Sequence, residues 1–172
     1  MKFYQDFLTE SEFNICYNEL LNKLKSDSWR YTKVTWTDQN VTEGTTGCVL
    51  SSDVSKTVFG IIAHKFCQLI KTTENSKISI VYYIWQANSG LALHDDANHK
   101  VAGTLYFNED WNPDYGGMFL WKESLDDITF KGISPIKNML VLNDEQQLHM
   151  VTPISPLSPD LRATIQIWCD EG

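Results

Sequence analysis

Positive charge is scarce in this chain, and arginine and histidine are the scarcest polar types. There are two arginines, Arg30 and Arg162, and four histidines, His64, His94, His99 and His149. Lysine and arginine together number 14 against 22 acidic residues, for a formal net charge of −8. Reading nucleic acid needs a basic stripe that displaces counterions from phosphate, so no nucleic-acid partner is expected. Cysteine is sparse too: Cys16, Cys48, Cys67 and Cys169 are scattered, with no Cys-x-x-Cys pair. That spacing indicates neither a disulfide framework nor a zinc knuckle, and small buried thiols in a reducing compartment are expected. No apolar run approaches the roughly 18 residues of a membrane span. Met1-Lys2-Phe3-Tyr4-Gln5-Asp6 does not open like a signal peptide. The expectation is a soluble, cytoplasmic protein with no membrane partner, its oligomeric state left open.

At 172 residues the chain is read as one domain with room for a proper core. Residues 1–76 supply supporting elements and residues 77–172 a β-rich core. Phe3 to Leu8 reads as a first edge strand. Thr9-Glu10-Ser11-Glu12 has capping-box spacing. Phe13, Cys16, Tyr17, Leu20, Leu21 and Leu24 follow at intervals of one, three and four, which predicts a helix to about Ser26. Trp29 to Trp36 alternates like a strand, and Thr37 to Thr46 is polar and aperiodic, hence a loop. A second helix is expected from near Asp53 to about Thr72. From Lys77 onward eight strand-like runs recur, beginning with β-branched and aromatic Ile78 to Trp85. Turn chemistry separates them, as at Asn112-Pro113-Asp114-Tyr115-Gly116-Gly117. Two helices ahead of eight strands predict an α+β, mainly β fold: a jelly roll buttressed by N-terminal helices.

The chemistry centres on Leu93-His94-Asp95-Asp96. In an extended strand residues two apart share a face, so His94 and Asp96 are expected to project together. His149, from a distant strand, is the best third ligand. Two imidazoles and one carboxylate make a facial set that leaves three octahedral positions open, the arrangement of non-haem Fe(II) oxygenases. His64, mid-helix among Ile61, Ile62 and Phe66, reads as structural. His99 lies in a polar turn and reads as solvated, a weaker competitor for the ligand role. Arg162 is placed in an apolar strand of a chain that otherwise uses lysine for surface charge. On period two it shares a face with Thr164, Gln166 and Trp168, while Leu161, Ile165 and Ile167 pack on the other side. A guanidinium beyond a metal suits the far carboxylate of a dicarboxylic co-substrate, because its planar fork matches a carboxylate.

These pieces resemble the double-stranded β-helix core of the 2-oxoglutarate/Fe(II) oxygenases, in their prolyl 4-hydroxylase-like branch. The resemblance runs from about Lys77 to Gly172. It rests on His94-Asp95-Asp96, on Tyr106-Phe107-Asn108 with Trp111 and Gly116-Gly117, on His149, and on Arg162 with Trp168. It implies that His94, Asp96 and His149 bind Fe(II), and that Arg162 pairs with the C5 carboxylate of 2-oxoglutarate. Tyr106 would hydrogen-bond the same carboxylate, with Thr164 as a helper; Tyr106 as a plain core aromatic stays open. O2 would be the oxidant and ascorbate the reductant. The substrate would be a prolyl residue in a peptide or protein, with succinate and CO2 as co-products. Tyr82, Tyr83 or Trp85 would face it, and Trp168 would either flank the iron site or fill the barrel. Retention of Asp96 favours hydroxylation over halogenation, which needs that ligand position for halide. A free amino acid or other small molecule is the second reading, nucleic-acid demethylation a third that the acidic balance disfavours, and a non-catalytic 2-oxoglutarate-binding module a remote alternative. The Gly116-Gly117 pair reads as turn geometry, and the segment from Trp29 to Gly47 as one that closes over a bound peptide.

Overall fold

A computed structural model describes residues 1–31, 49–72 and 76–170. Thr9 caps α1 (Glu10–Lys23) with the full reciprocal box. Its hydroxyl accepts from the Glu12 amide at 3.3 Å, and the Glu12 carboxylate accepts from the Thr9 amide at 2.8 Å. Two of the helix's orphan donors are thereby satisfied. The helix ends short of the expected Ser26, and Leu24 beyond it is exposed. Thr9→Ala is expected to cost about 0.5–2 kcal/mol. The check is a lower urea midpoint at unchanged slope; an unmoved midpoint would show the box to be idle.

The second helix, α2 (Lys56–Ile70), starts later than expected, capped by the Ser55 hydroxyl on the Val58 amide at 3.3 Å. Asp53, the expected start, instead ends β3 (Val49–Asp53), a strand absent from the sequence reading. There it takes a forked ion pair from Arg30 at 2.7 and 3.0 Å. His64 is exposed on α2, bonded to Gln68 at 3.0 Å, and so is not a packing residue. Of the expected Trp29–Trp36 strand, β2 (Arg30–Tyr31) is seen; the remainder and the loop from 37 to 46 lie outside the described residues. The first strand, β1 (Lys2–Tyr4), is shorter than expected, because the chain turns at Asp6 with φ +49.

All eight strands expected after Lys77 are present with shifted ends. They are β4 (Lys77–Trp85), β5 (Leu91–His94), β6 (Val101–Tyr106), β7 (Phe119–Trp121), β8 (Lys131–Ile133), β9 (Leu140–Asn143), β10 (His149–Val151) and β11 (Arg162–Asp170). They pair antiparallel in two sheets, β1-β9-β6-β11-β4-β3-β2 and β5-β10-β7-β8. The chain crosses repeatedly from one sheet to the other, which is the jelly-roll arrangement.

Period-two alternation sorts the core into two layers. On one face of the large sheet, Ile80, Tyr82 and Ile84 of β4 and Ile165 and Ile167 of β11 meet Val58, Ile62 and Phe66 of α2. On the other face, Tyr83, Trp85 and Tyr106 meet Phe119, Trp121 and Val151 of the small sheet. Burying each such large side chain contributes roughly 1.5–3 kcal/mol. The division expected along β11 holds except for Leu161, which is 41% exposed and precedes the strand. Cys16 and Cys169 are buried and Cys67 half-buried, all three as free thiols. Among the described residues no helix is long and apolar enough to cross a membrane.

Candidate metal centre

Neighbouring strands β5 and β10 are registered so that His94 stands directly opposite His149. Directly opposed residues share a face, and the two imidazole centroids lie 4.1 Å apart. Asp96 does not join them by strand alternation, as the sequence pattern suggests, because β5 ends at His94. It sits two residues further on at φ +56, a left-handed conformation that Asp adopts more readily than most residues. Asp95 supports the bend, its Oδ1 accepting from the Ala97 amide at 2.9 Å. The carboxylate is thereby folded back between the rings. Oδ1 lies 3.4 Å from His94 Nε2, and Oδ2 lies 3.3 Å from His149 Nε2.

The other ring nitrogens are already engaged. His94 Nδ1 donates to the Ala92 carbonyl at 2.8 Å and His149 Nδ1 to the Gln147 carbonyl at 2.9 Å. Such contacts set the tautomer and aim both Nε2 atoms at one point. Burial opposes charge on Asp96, yet hydrogen bonds from His149 and His94 outweigh it and hold the carboxyl well below the usual range. For His94 burial lowers the pKa, but the Asp96 carboxylate reverses this and raises it. One ligand atom from each of the three residues falls within 4.8 Å of the other two, and among the described residues no other group of such side chains does so. Two imidazoles and a carboxylate around one point fit a divalent transition metal.

The three residues line a cavity of about 640 Å³ together with Arg162. Arg162 is 0% exposed and has no acidic partner among the described residues. Its Nε donates to the Gly117 carbonyl at 3.0 Å and its Nη2 to the Tyr106 hydroxyl at 3.3 Å. The guanidinium carbon sits 4.9 Å from the Trp85 ring centroid and 5.1 Å from that of Tyr106. Nη1 is buried without a hydrogen-bond partner among the described residues. Burial pushes the Arg162 pKa down, against the pull of Tyr106, and pushes the Tyr106 phenol up, against the pull of Arg162. A buried cation with an unused donor is costly alone and calls for an anion.

Gly117 has more to do than turn the chain. At φ +63, its missing Cβ would lie 3.0 Å from Arg162 Cδ, 3.2 Å from Ile154 Cγ1 and 3.3 Å from Trp111 Cζ2. Its carbonyl orients the guanidinium. Gly117→Ala is therefore expected to destabilise by about 1–3 kcal/mol through backbone strain and to displace Arg162. The readouts are the urea midpoint and the affinity for a dicarboxylate ligand; an unchanged affinity would separate Gly117 from the arginine.

The remaining expected site residues divide. Tyr83, Trp85 and Trp168 line the cavity, with the Tyr83 ring 6.2 Å from Trp85 and 5.9 Å from Trp168. Tyr106 and Thr164 stand behind the cavity wall. Tyr106 reaches inward through Arg162, and the Thr164 hydroxyl accepts from Trp85 Nε1 at 3.4 Å and Gln166 Nε2 at 3.2 Å. His99, expected to be solvated, is half-buried, with Nδ1 2.7 Å from an Asp170 carboxylate oxygen. It stands outside the three-ligand group. Gln166, which the sequence marks only as a position on the Arg162 face, lines the cavity, and its Oε1 accepts from the Thr104 hydroxyl at 2.9 Å. No sequence signal marks Gly117 or Asp170 for their parts, because both act through residues distant in the chain.

A sequence model described as the 2OG-Fe(II) oxygenase superfamily matches residues 78–170, more than half of the chain, and the chain belongs to that superfamily. It is a 2-oxoglutarate-dependent dioxygenase of a family that uses Fe(II), 2-oxoglutarate and O2, and the His94–Asp96–His149 cluster and the orphan donor of Arg162 suit such a cofactor and co-substrate. Its fold is that of prolyl 4-hydroxylase-like members. It is similar to a Trichoplax adhaerens prolyl hydroxylase solved with a peptide fragment of the hypoxia inducible factor oxygen degradation domain. That match has a TM-score of 0.78 at 18% identity, covering 99% of this chain and 83% of the other. It is also similar to a Pseudomonas putida prolyl-4-hydroxylase, with a TM-score of 0.75 at 15% identity, covering 99% and 92%. A third similar structure is SnoN, a non-heme alpha ketoglutarate dependent epimerase of nogalamycin biosynthesis, with a TM-score of 0.66 at 12% identity, covering 98% and 76%. No curated protein sequence matches the chain.

Proposed function

We propose that this dioxygenase hydroxylates a C–H bond of a prolyl residue in a peptide or protein, converting 2-oxoglutarate and O2 to succinate and CO2. The observation that carries the reading is the buried Arg162, whose Nη1 has no hydrogen-bond partner among the described residues, in the same cavity as the His94–Asp96–His149 cluster. In this reading His94, Asp96 and His149 hold Fe(II) and leave three positions for the two small reactants. Iron, when bound, supplies the redox chemistry with O2; the protein binds and orients. Arg162 takes the C5 carboxylate of 2-oxoglutarate on its free Nη1, with Tyr106 adding a hydroxyl and Thr164 bracing the wall. A charge-assisted fork of this kind fixes both position and orientation of a planar carboxylate.

The aromatic wall of Tyr83, Trp85 and Trp168 offers flat apolar faces to a prolyl ring. Similarity to one structure solved with a peptide adds support for a peptide or protein substrate. The segment from Trp29 to Gly47, expected from the sequence to close over a bound peptide, lies outside the described residues beyond Tyr31.

The test is succinate formation in air with Fe(II), 2-oxoglutarate and ascorbate, with and without a panel of proline-containing peptides. Peptide-stimulated succinate, with hydroxyproline found by mass spectrometry and none in His149→Ala, is the expected result. Turnover that no peptide stimulates would move the substrate to a free amino acid or another small molecule. No turnover of any kind would remove the catalytic reading.

A further inference from the structure

We propose that His99, held by Asp170, is a substrate-binding residue whose Nε2 accepts a hydrogen bond from a backbone N–H of the peptide. The inference rests on the peptide reading above and adds a recognition element to it. His99 lines the cavity wall yet belongs to neither the metal cluster nor the arginine pocket. Its ring is constrained on two sides. Nδ1 meets Asp170 Oδ1 at 2.7 Å, and the ring lies 5.6 Å from that of Trp168 at a 36° tilt. Its main chain is constrained as well: the amide donates to the Asp96 carbonyl at 2.8 Å, and the carbonyl accepts from Gln146 Nε2 at 3.2 Å.

In the neutral imidazole, a carboxylate on Nδ1 fixes the proton there and leaves the Nε2 lone pair as an acceptor. No described residue bonds Nε2. The result is an oriented acceptor beside the Trp168 ring, which in turn meets Tyr83 at 5.9 Å, with little freedom left to lose on binding. Proline itself has no N–H, so an acceptor next to a prolyl-sized aromatic wall would read the N–H of an adjacent residue and set the register of the peptide. Asp170 is a positioning residue acting through His99.

The competing account is mechanical: the His99–Asp170 pair only pins the loop that carries Asp96. The experiment separates the two with the proline-containing peptide that best stimulates the wild-type enzyme. His99→Phe keeps a ring against Trp168 but has no acceptor, and its KM for that peptide is expected to rise about five- to tenfold. Its KM for 2-oxoglutarate and its Mn(II) affinity should stay within about twofold. Peptides with one backbone amide replaced by an ester are then assayed position by position. One position should raise the wild-type KM by the same factor and have no effect in His99→Phe. Asp170→Asn, whose side-chain oxygen still accepts from Nδ1, should rescue the defect seen in Asp170→Ala.

Loss of Mn(II) affinity in His99→Phe with no coupled ester position would overturn the proposal in favour of loop pinning. Peptide-stimulated turnover indifferent to His99 would overturn it while leaving the peptide substrate in place. A panel with no active peptide would overturn the substrate reading and this proposal together.

Discussion

The double variant R162M/Y106F is expected to melt higher than the wild-type protein when no ligand is present, and to gain nothing when 2-oxoglutarate is added. Arg162 is fully buried, and among the described residues it has no acidic partner and its Nη1 no hydrogen bond. Replacing buried charge by apolar volume is often neutral or stabilising, by about 1–4 kcal/mol. For a chain of this length that is about 2–4 °C per kcal/mol. Methionine alone would strand the Tyr106 hydroxyl, which Arg162 Nη2 now satisfies at 3.3 Å; hence the paired Phe. Removing one partner of a buried charge pair costs about 2–5 kcal/mol. Affinity for 2-oxoglutarate should therefore fall by at least about thirtyfold in Arg162→Met. Thermal unfolding with Mn(II), with and without 2-oxoglutarate, reads both effects. A ligand-free variant melting below wild type, or one still stabilised by 2-oxoglutarate, would show that Arg162 is there for packing.

Asp96→Asn is expected to keep the fold and lose the metal. Asn tolerates the left-handed conformation that Asp96 holds at φ +56, so the bend survives while the anionic ligand is gone. Metal affinity should fall by more than about a hundredfold, beyond the loss typical of residues that merely support a ligand. Asp96→Ala removes the same ligand and adds backbone strain of roughly 1–2 kcal/mol. Asp96→Gly removes the ligand without that strain. The melting temperatures should therefore rank Asn above Ala, with Gly relieving the local strain, while all three fail to bind Mn(II) tightly. Retention of Mn(II) by Asp96→Asn within about tenfold would exclude the carboxylate as a ligand. Equal melting of Asn and Ala variants would mean that the bend carries no strain.

Much of this was written in local pattern. The capping box at Thr9, the eight strands after Lys77 and the two faces of β11 follow from side-chain chemistry at periods of 3.6 and 2, which neighbours in sequence suffice to specify. The scarcity of arginine singled out Arg162, and the scarcity of histidine left few ligand candidates. Element ends were less legible, because they depend on partners far away. Asp53 lies in a strand and not in the expected helix because β3 pairs with β4, which sets Asp53 opposite Val81. Leu161 was expected in the core and is exposed because β11 begins one residue later. His99 reads as solvated from sequence because nothing near it announces Asp170, its partner at 2.7 Å.

By itself, then, the sequence determined the family, the jelly-roll class and the residues that converge at the centre, since residue types and hydrophobic periods are local properties. Only the tertiary structure decided how they converge. Asp96 reaches both histidines through a left-handed bend past the end of β5. His94 meets His149 through strand register. Gly117 orients Arg162 from 45 residues away. Each of these depends on which strands are neighbours, and that is settled by how two sheets and two helices bury their apolar faces together.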